Sequence, residues 1–462
     1  MKNSALNLFY LVVFTAMLLF TGSARADTVL YNFPGSATDG TRPYATPIHD
    51  TYGNLYGTTT TGGTFGYGTV YVLCAPGVSG SDLFPCTTGL SNWTEFVLYS
   101  FKGLPSSDGA NPYGALVFNG LYAGRAFTLY GTTYNGGKPD TCGVNGAFSG
   151  CGTVFELCAP SNFGGCGGVN IWKEKVLYRF LGVKDGAHPL AGVITDKASD
   201  LFGTTVYGGG LGSCIPSGST NQFCGTVFKL KGQSPWTFPE TIMHRFKGGT
   251  TDGANPYSAL CCNTIFAIPY VYGTTVLGGS HASGIVYRVK NAGAFPKTTL
   301  YNFCSLSGCF DGANPYSDVI FDAAGHLYGT TIVGGPSGWG IAYELTPAGP
   351  PWTETLLYNF LGPSADGGSP TAGVIFDASG NLYGTTLNAG SGCATCGIVF
   401  DLTPSGPPWS ETVLWNFIGP PDGDYPFAGV TFDSAVSSGT LYGATVYGGT
   451  GSGSLGTIYS VP

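Results

Sequence analysis

Few residues in this chain are placed where chemistry would be expected of them. Asp318 is a carboxylate at a point where six matching segments carry Thr46, Ala115, Gly192, Ala259, Gly373 and Gly429. His188 stands three residues after Asp185, in a step that elsewhere reads Asp-Gly-Ala-Asn-Pro. Asp424 follows Asp422-Gly423, and Arg42 occupies the matching loop nearest the N-terminus. Arg179 and Arg245 replace the asparagine of a recurring Leu-Tyr-Asn-Phe step. Carboxylates and an imidazole are the groups of general acid–base catalysis. Two carboxylates at a set separation would hydrolyse a glycosidic bond, and a base with a charge neutraliser would run a lyase reaction. Asp318, His188 and Asp424 are therefore the candidate catalytic residues.

A second set suits binding. The residue after a recurring proline is Tyr44, Tyr113, Leu190, Tyr257, Tyr316, Thr371 or Phe427. Planar rings with a polar edge stack on sugars or pack against a protein partner. Tyr44, Tyr113, Tyr257, Tyr316 and Phe427, with Trp339 and Arg42, are the candidate ligand-binding residues. Phe65 and Tyr67 add aromatics nearby, and packing within the fold is the competing role for the tyrosines. Other chemistries have less support. The five histidines (His49, His188, His244, His281, His326) lack metal-ligand spacing, and Cys393-Ala394-Thr395-Cys396 is a lone Cys-x-x-Cys where a zinc site takes two. There is no Gly-x-Ser-x-Gly elbow and no phosphate loop. No metal or cofactor is expected.

These residues are carried by a repeat. An Asp-Gly step recurs at Asp39, Asp108, Asp185, Asp252, Asp311, Asp366 and Asp422, and a Tyr-Gly-Thr-type step at Tyr56, Tyr130, Phe202, Tyr272, Tyr328, Tyr383 and Tyr442. Each copy holds four short strand candidates. The unit around Val374–Asp377 and Asn381–Thr386 contains an Asp-x-x-Gly-Asn hairpin turn, and Gly397–Leu402 is its third strand. Seven units of four strands predict an all-β, seven-bladed β-propeller. The chain starts its first copy with an orphan fourth strand (29–33) and stops after a third (456–461), so the N-terminal strand should complete the last blade and close the ring, removing exposed edges. An open β-solenoid is the alternative. The Asp-Gly and Gly-Gly loops should emerge on one face around the channel mouth. The seven repeat aspartates are expected to cap turns, and Glu95, Glu354 and Glu411 of the outer strands to be solvated.

The pattern Leu-Tyr-Asn-Phe, Asp-Gly, Pro-x-Ala-Gly, Gly-Asn-Leu-Tyr-Gly-Thr-Thr, Gly-Gly, Gly-Thr-Val-Phe-Glu-Leu resembles the GloVer tandem repeat of bacterial extracellular proteins. The resemblance covers all seven copies. It implies an exported repeat protein, often surface-anchored, with no established activity. This chain departs from it in lacking an anchor tail before Pro462 and in its extra cysteines.

Composition agrees. The 462 residues include 76 glycines and 30 prolines, with 10% charged residues, 14% aromatics and a net charge of −8. Helical bundles do not carry so much glycine, disordered chains carry more charge and fewer aromatics, and a charge-poor acidic surface excludes nucleic-acid partners. Lys2, the apolar run Leu6–Phe20 and Ala24-Arg25-Ala26 form a secretory signal. Residues 1–26 are thus expected to be removed, leaving 27–462 as one propeller domain, secreted or periplasmic, with no membrane span and monomeric. The 14 cysteines suit an oxidising compartment, with local pairs expected at 74/86, 142/151, 158/166, 214/224, 304/309 and 393/396 and with Cys261 and Cys262 adjacent. The expected partner is an extracellular polysaccharide or a cell-surface protein. A polysaccharide-degrading hydrolase or lyase is the alternative, and a structural envelope protein the third.

Overall fold

The computed structural model describes residues 28–462 apart from 78–84, 87–88, 120–127, 139–141, 143–149, 162–166, 211–223, 233–237, 263–268, 364–365, 389, 391–392, 394, 434–438 and 451–452. The expected signal segment and Cys166 and Cys214 lie outside the described residues.

The chain forms seven four-stranded antiparallel sheets, the blades of a seven-bladed propeller, as its sequence predicts. Blade five shows the pattern. Its inner strand Ile320–Phe321 is followed by Leu327–Thr331, Ile341–Thr346 and the outer strand Thr353–Asn359. The third strands of blades one to seven are Thr69–Cys74, Thr153–Cys158, Thr226–Leu230, Ile285–Lys290, Ile341–Thr346, Ile398–Thr403 and Thr457–Val461. Thr28–Asn32 pairs with that last strand, Thr28 opposite Ser460 and Asn32 opposite Thr457. Both chain ends therefore build blade seven, and the ring is closed rather than an open solenoid.

Each repeated residue has a local task. In Tyr-Gly-Thr-Thr the glycine faces an aromatic ring across the ladder, as Gly57 faces Tyr71. A Cβ on Gly57 would run into the Tyr71 hydroxyl. The first threonine ties one blade to the next. Thr58, Thr132, Thr204, Thr274, Thr330 and Thr385 donate to the carbonyls of Gly114, Ala191, Ser258, Ser317, Ala372 and Ala428, at 2.8–3.2 Å. Blade seven has Ala444 at this position. In the outer strands the register slips by one residue, so Leu98, Leu177, Met243, Leu300, Leu357 and Leu414 are extra. Such a bulge breaks strict alternation and lets Leu and the neighbouring Phe both pack inward: Leu300, Phe303, Leu357 and Phe360 are fully buried. The apolar core is accordingly split into seven clusters, one between each pair of adjacent blades.

The aspartates cap turns. Asp377 accepts from the backbone N–H of Ser379 and Asn381 at 2.8 Å. Asp108 accepts from the Tyr99 hydroxyl and Lys102 N–H at 2.8 Å and from Gly109 N–H at 2.6 Å. All seven Asp-Gly aspartates are buried, so they form no acidic ring at the mouth. The Asp-Gly steps pair with the Gly-Gly loops as short ladders, such as Gly40–Thr41 with Thr61–Gly62 and Gly423–Asp424 with Tyr447–Gly448.

Candidate functional site

Before each inner strand the chain runs past the axis with burial that alternates every second residue. Tyr316, Asp318 and Ile320 are half-buried, while Pro315, Ser317 and Val319 are buried against the blade. The same alternation holds at Tyr44, Thr46 and Ile48, at Tyr113, Ala115 and Val117, and at Tyr257, Ala259 and Cys261. These residues and their counterparts in the other blades line a cavity of about 340 Å³ on the axis, to which all seven blades contribute. It has two layers. The upper layer is Tyr44, Tyr113, Leu190, Tyr257, Tyr316, Thr371 and Phe427, and the lower is Thr46, Ala115, Gly192, Ala259, Asp318, Gly373 and Gly429.

The upper layer is not a uniform ring. Tyr44 packs against Tyr113 (centroids 4.9 Å apart) and Phe427 (5.3 Å), joining blades seven, one and two. Tyr257 packs against Tyr316 at 4.7 Å, joining blades four and five. Leu190 of blade three and Thr371 of blade six separate these groups, so two aromatic jaws flank a slot. Each jaw has a second tier that the sequence reading missed. Tyr447 lies near the Tyr44 hydroxyl and Tyr257 near that of Tyr207, each adding to burial in raising its neighbour's pKa. Tyr134 lies 5.5 Å from Tyr113, and Tyr425 5.8 Å from Tyr447. Tyr134, Tyr207 and Tyr447 lie one or two residues beyond the Gly-Thr-Thr step, and that placement was the available signal. Burial pushes Tyr257 up to about 12 and raises Tyr44, Tyr134 and Tyr207 as well, so the mouth presents neutral phenols.

Asp318 is the one ionisable side chain in the lower layer. Its carboxylate lies over Gly373 of blade six, where any Cβ would collide with Oδ1. Burial raises it to about 6, against a hydrogen bond from its own backbone N–H. Among the described residues no Lys, Arg or His forms an ion pair with it.

His188 and Arg42 share one structural position, occupied elsewhere by Asn111, Asn255, Asn314, Ser369 and Tyr425. All seven have positive φ between 55° and 64°. The asparagines donate to the preceding blade, as Asn255 does to the Val206 carbonyl at 3.1 Å. His188 does the same through Nδ1, 2.9 Å from the Tyr134 carbonyl, and its ring stacks on Tyr134 at 4.5 Å. It is 2% exposed and burial lowers its pKa, so it is a neutral imidazole with a buried, unpartnered Nε2. Arg42 is exposed, its guanidinium 5.6 Å from the Tyr447 ring. Asp424 lies outside the channel lining, with Oδ1 buried and unpartnered and its pKa raised by burial. Its carboxylate lies within 4.8 Å of both sulfurs of Cys393 and Cys396. Those sulfurs are joined as a disulfide and supply no thiolate to a metal. Asp318, His188 and Asp424 thus stand in three different settings.

Trp339 is not part of the channel lining either. Its indole lies against Gly362 and Gly368, wedging blade five onto blade six. Tyr67 does the same against Gly103, while Phe65 is 50% exposed on the rim. The outer-strand glutamates differ from expectation. Glu95, Glu354 and Glu411, with Glu174 and Glu240, are half-buried, and each has a buried Oε1 without a partner. Each lies beside the Asp-Gly carboxylate of the preceding junction. Burial and that like charge raise Glu95, Glu174 and Glu411 to about 8 and Glu240 and Glu354 to about 7. Blade four breaks the pattern with Lys297, 2.7 Å from Asp252. Burial alone would raise Asp252, but His244 and Lys297 hold it down at about 2.

Disulfides join Cys74 to Cys86, Cys142 to Cys151, Cys304 to Cys309 and Cys393 to Cys396. Cys158 and Cys224 are also disulfide-bonded. These bonds fit an oxidising compartment. Among the described residues no helix is long and apolar enough to cross a membrane.

Several solved structures are similar in outline. An ancestral GH74 enzyme matches with a TM-score of 0.46 and 10% identity, over 92% of this chain and 48% of its own. A Mycobacterium tuberculosis puromycin-hydrolyzing peptidase matches at 0.45 and 9%, over 90% and 55%. The Trichoderma reesei carbohydrate-active enzyme of family AA12 matches at 0.41 and 12%, over 95% and 98%. No curated protein matches the sequence. The repeat itself gives the relationship: residues 16–264 and 268–462 match the Gloeobacter/Verrucomicrobia repeat, and the chain belongs to that family.

Proposed function

We propose that this protein is an exported propeller that binds an extracellular glycan in the slot between its two aromatic jaws. The observation that carries this reading is the arrangement of Tyr44, Tyr113 and Phe427 opposite Tyr257 and Tyr316 over a well of about 340 Å³. Flanking rings offer stacking to a sugar, and their neutral hydroxyls offer donors and acceptors to its edge. Hydrolysis of a glycosidic bond takes two carboxylates. Among the described residues the channel lining has one, Asp318, which favours binding over cleavage.

The test is a polysaccharide and oligosaccharide panel applied to the protein secreted from its full chain. Tyr113→Ala and Tyr316→Ala, one from each jaw, should each weaken binding about tenfold. Trp339→Ala should leave it unchanged, because that ring packs between blades. Equal effects from all three would place the site on the rim instead of the axis. New reducing ends or unsaturated products, abolished in Asp318→Asn, would replace binding with catalysis. N-terminal sequencing of the secreted protein should begin at Asp27.

A further inference from the structure

The slot has a chemical polarity that stacking on a neutral sugar does not use. Beneath Tyr316 the chain turns one more pleat and presents Asp318 to the channel. The other lower-layer residues, Thr46, Ala115, Gly192, Ala259, Gly373 and Gly429, carry no charge. A carboxylate of this kind is costly to bury without a counter-charge, and the fold makes room for it through Gly373 in the next blade. The gap in the upper layer left by Thr371 belongs to that same blade, so the open end of the slot lies beside the carboxylate. The rim cation Arg42 belongs to the opposite jaw, over Tyr447 of blade seven. Two features thus favour positive charge independently. Aromatic rings around the mouth attract a cation through their quadrupoles, and an unpaired carboxylate attracts it directly.

We propose that the slot selects a glycan carrying a free amine, with the ammonium seated on the Asp318 carboxylate and the sugar ring between the jaws. This rests on the glycan-binding reading above and names the class of sugar. An N-acetylated sugar of the same backbone lacks the charge and fits less well. Titration of Asp318 should be visible in the binding. The titratable groups facing it are few: Tyr343 behind it in its own blade feels its charge and is itself pushed up by burial. Tyr316 above is also raised by burial, and the blade-six wall Thr371–Gly373 has no ionisable group.

The experiment is calorimetric titration of the mature protein with a β-1,4-linked glucosamine tetramer and with its N-acetylated counterpart. At about pH 6.5 the free-amine tetramer should bind at least about tenfold more tightly. Asp318→Asn should bring the two within about twofold, with no fall in melting temperature. In the unmodified protein the preference should also shrink on going to about pH 4.5, as Asp318 takes up its proton. A preference that survives both Asp318→Asn and acid overturns the proposal. Equal binding of both tetramers, weakened by Tyr316→Ala, overturns it while sparing the jaws as a glycan site. Binding of neither, with no response from the wider glycan panel, overturns both readings.

Discussion

Replacing Glu174 by glutamine should stabilise this protein in mild alkali and leave it unchanged in acid. Glu174 is half-buried beside Asp108, and burial followed by that neighbouring charge raises it to about 8. Asp108 is already committed to Tyr99, Lys102 and Gly109. The junction therefore accommodates a protonated Glu174. A folded-state pKa raised above the unfolded value means that the folded chain holds the proton more tightly. Stability is then complete below about pH 4.5 and falls as the pH rises toward about 8, the value at which the folded group ionises. The full span corresponds to at most about 5 kcal/mol. Glu174 is partly open to water, and screening leaves about 1–2 kcal/mol. Glutamine keeps the donor and removes the proton dependence. Urea unfolding of both proteins near pH 4 and near pH 9 should give equal midpoints in acid and a higher midpoint for Glu174→Gln in alkali. A loss of stability of the same size at both pH values would show that Glu174 contributes packing only and would refute the reasoning. Blade four is the built-in control. There Lys297 meets Asp252 at 2.7 Å, and Asp252 is held down at about 2. That junction's stabilisation is present above about pH 3.8 and lost only as the pH falls toward 2, so Lys297→Gln should destabilise in alkali.

Asp318→Asn should raise stability near neutral pH by up to about 3 kcal/mol and have no effect near pH 3.5, because the wild-type carboxylate rises to about 6 on folding; the same urea series reads it. Thr385→Val removes the 2.8 Å bond to the Ala428 carbonyl and should cost about 1 kcal/mol in unfolding free energy. His188→Asn restores the residue found at 111, 255 and 314 and keeps a donor for the Tyr134 carbonyl, so it should cost no more than about 1–2 kcal/mol, mainly from the lost ring packing, and leave glycan binding intact. A catalytic His188 would instead cost activity on the polysaccharide panel.

The blade was legible because each of its parts depends on local chemistry. Asp-x-x-Gly-Asn makes a turn whatever surrounds it, and Tyr-Gly-Thr-Thr marks a strand with a close-approach point. The orphan strands at the two ends of the repeat series announced ring closure, and Thr28–Asn32 does pair with Thr457–Val461. Contacts between blades were harder to read. Glu95 and Glu411 looked like solvated outer-strand residues because the carboxylates beside them, Asp39 and Asp366, sit at the opposite end of the same repeat copy and meet them only once the blades pack. Trp339 looked like a loop aromatic because nothing in its own copy shows that Gly362 and Gly368 lie beneath it. The division of the mouth into two jaws depends on which blades face each other across the axis, which spacing along the chain does not encode.

The repeat also explains where selectivity can arise. Six of the seven blade junctions carry the threonine stitch, and every Asp-Gly carboxylate is used in its own turn. Changing these residues changes the scaffold everywhere by the same small amount. The inner segments accept the threonine bonds through the carbonyls of their buried residues, such as Ser317 and Ala372, and present the alternate residues to the channel; Gly114 and Gly192 show how closely their backbones meet at the axis. Two substitutions there, Leu190 and Thr371 in place of rings, convert a sevenfold collar into a slot. A third, Asp318, gives one end of that slot a charge. A pseudo-symmetric fold can thus acquire a directional site at three positions without disturbing a capped turn or a blade-to-blade hydrogen bond, and those are positions where this chain departs from its own repeat.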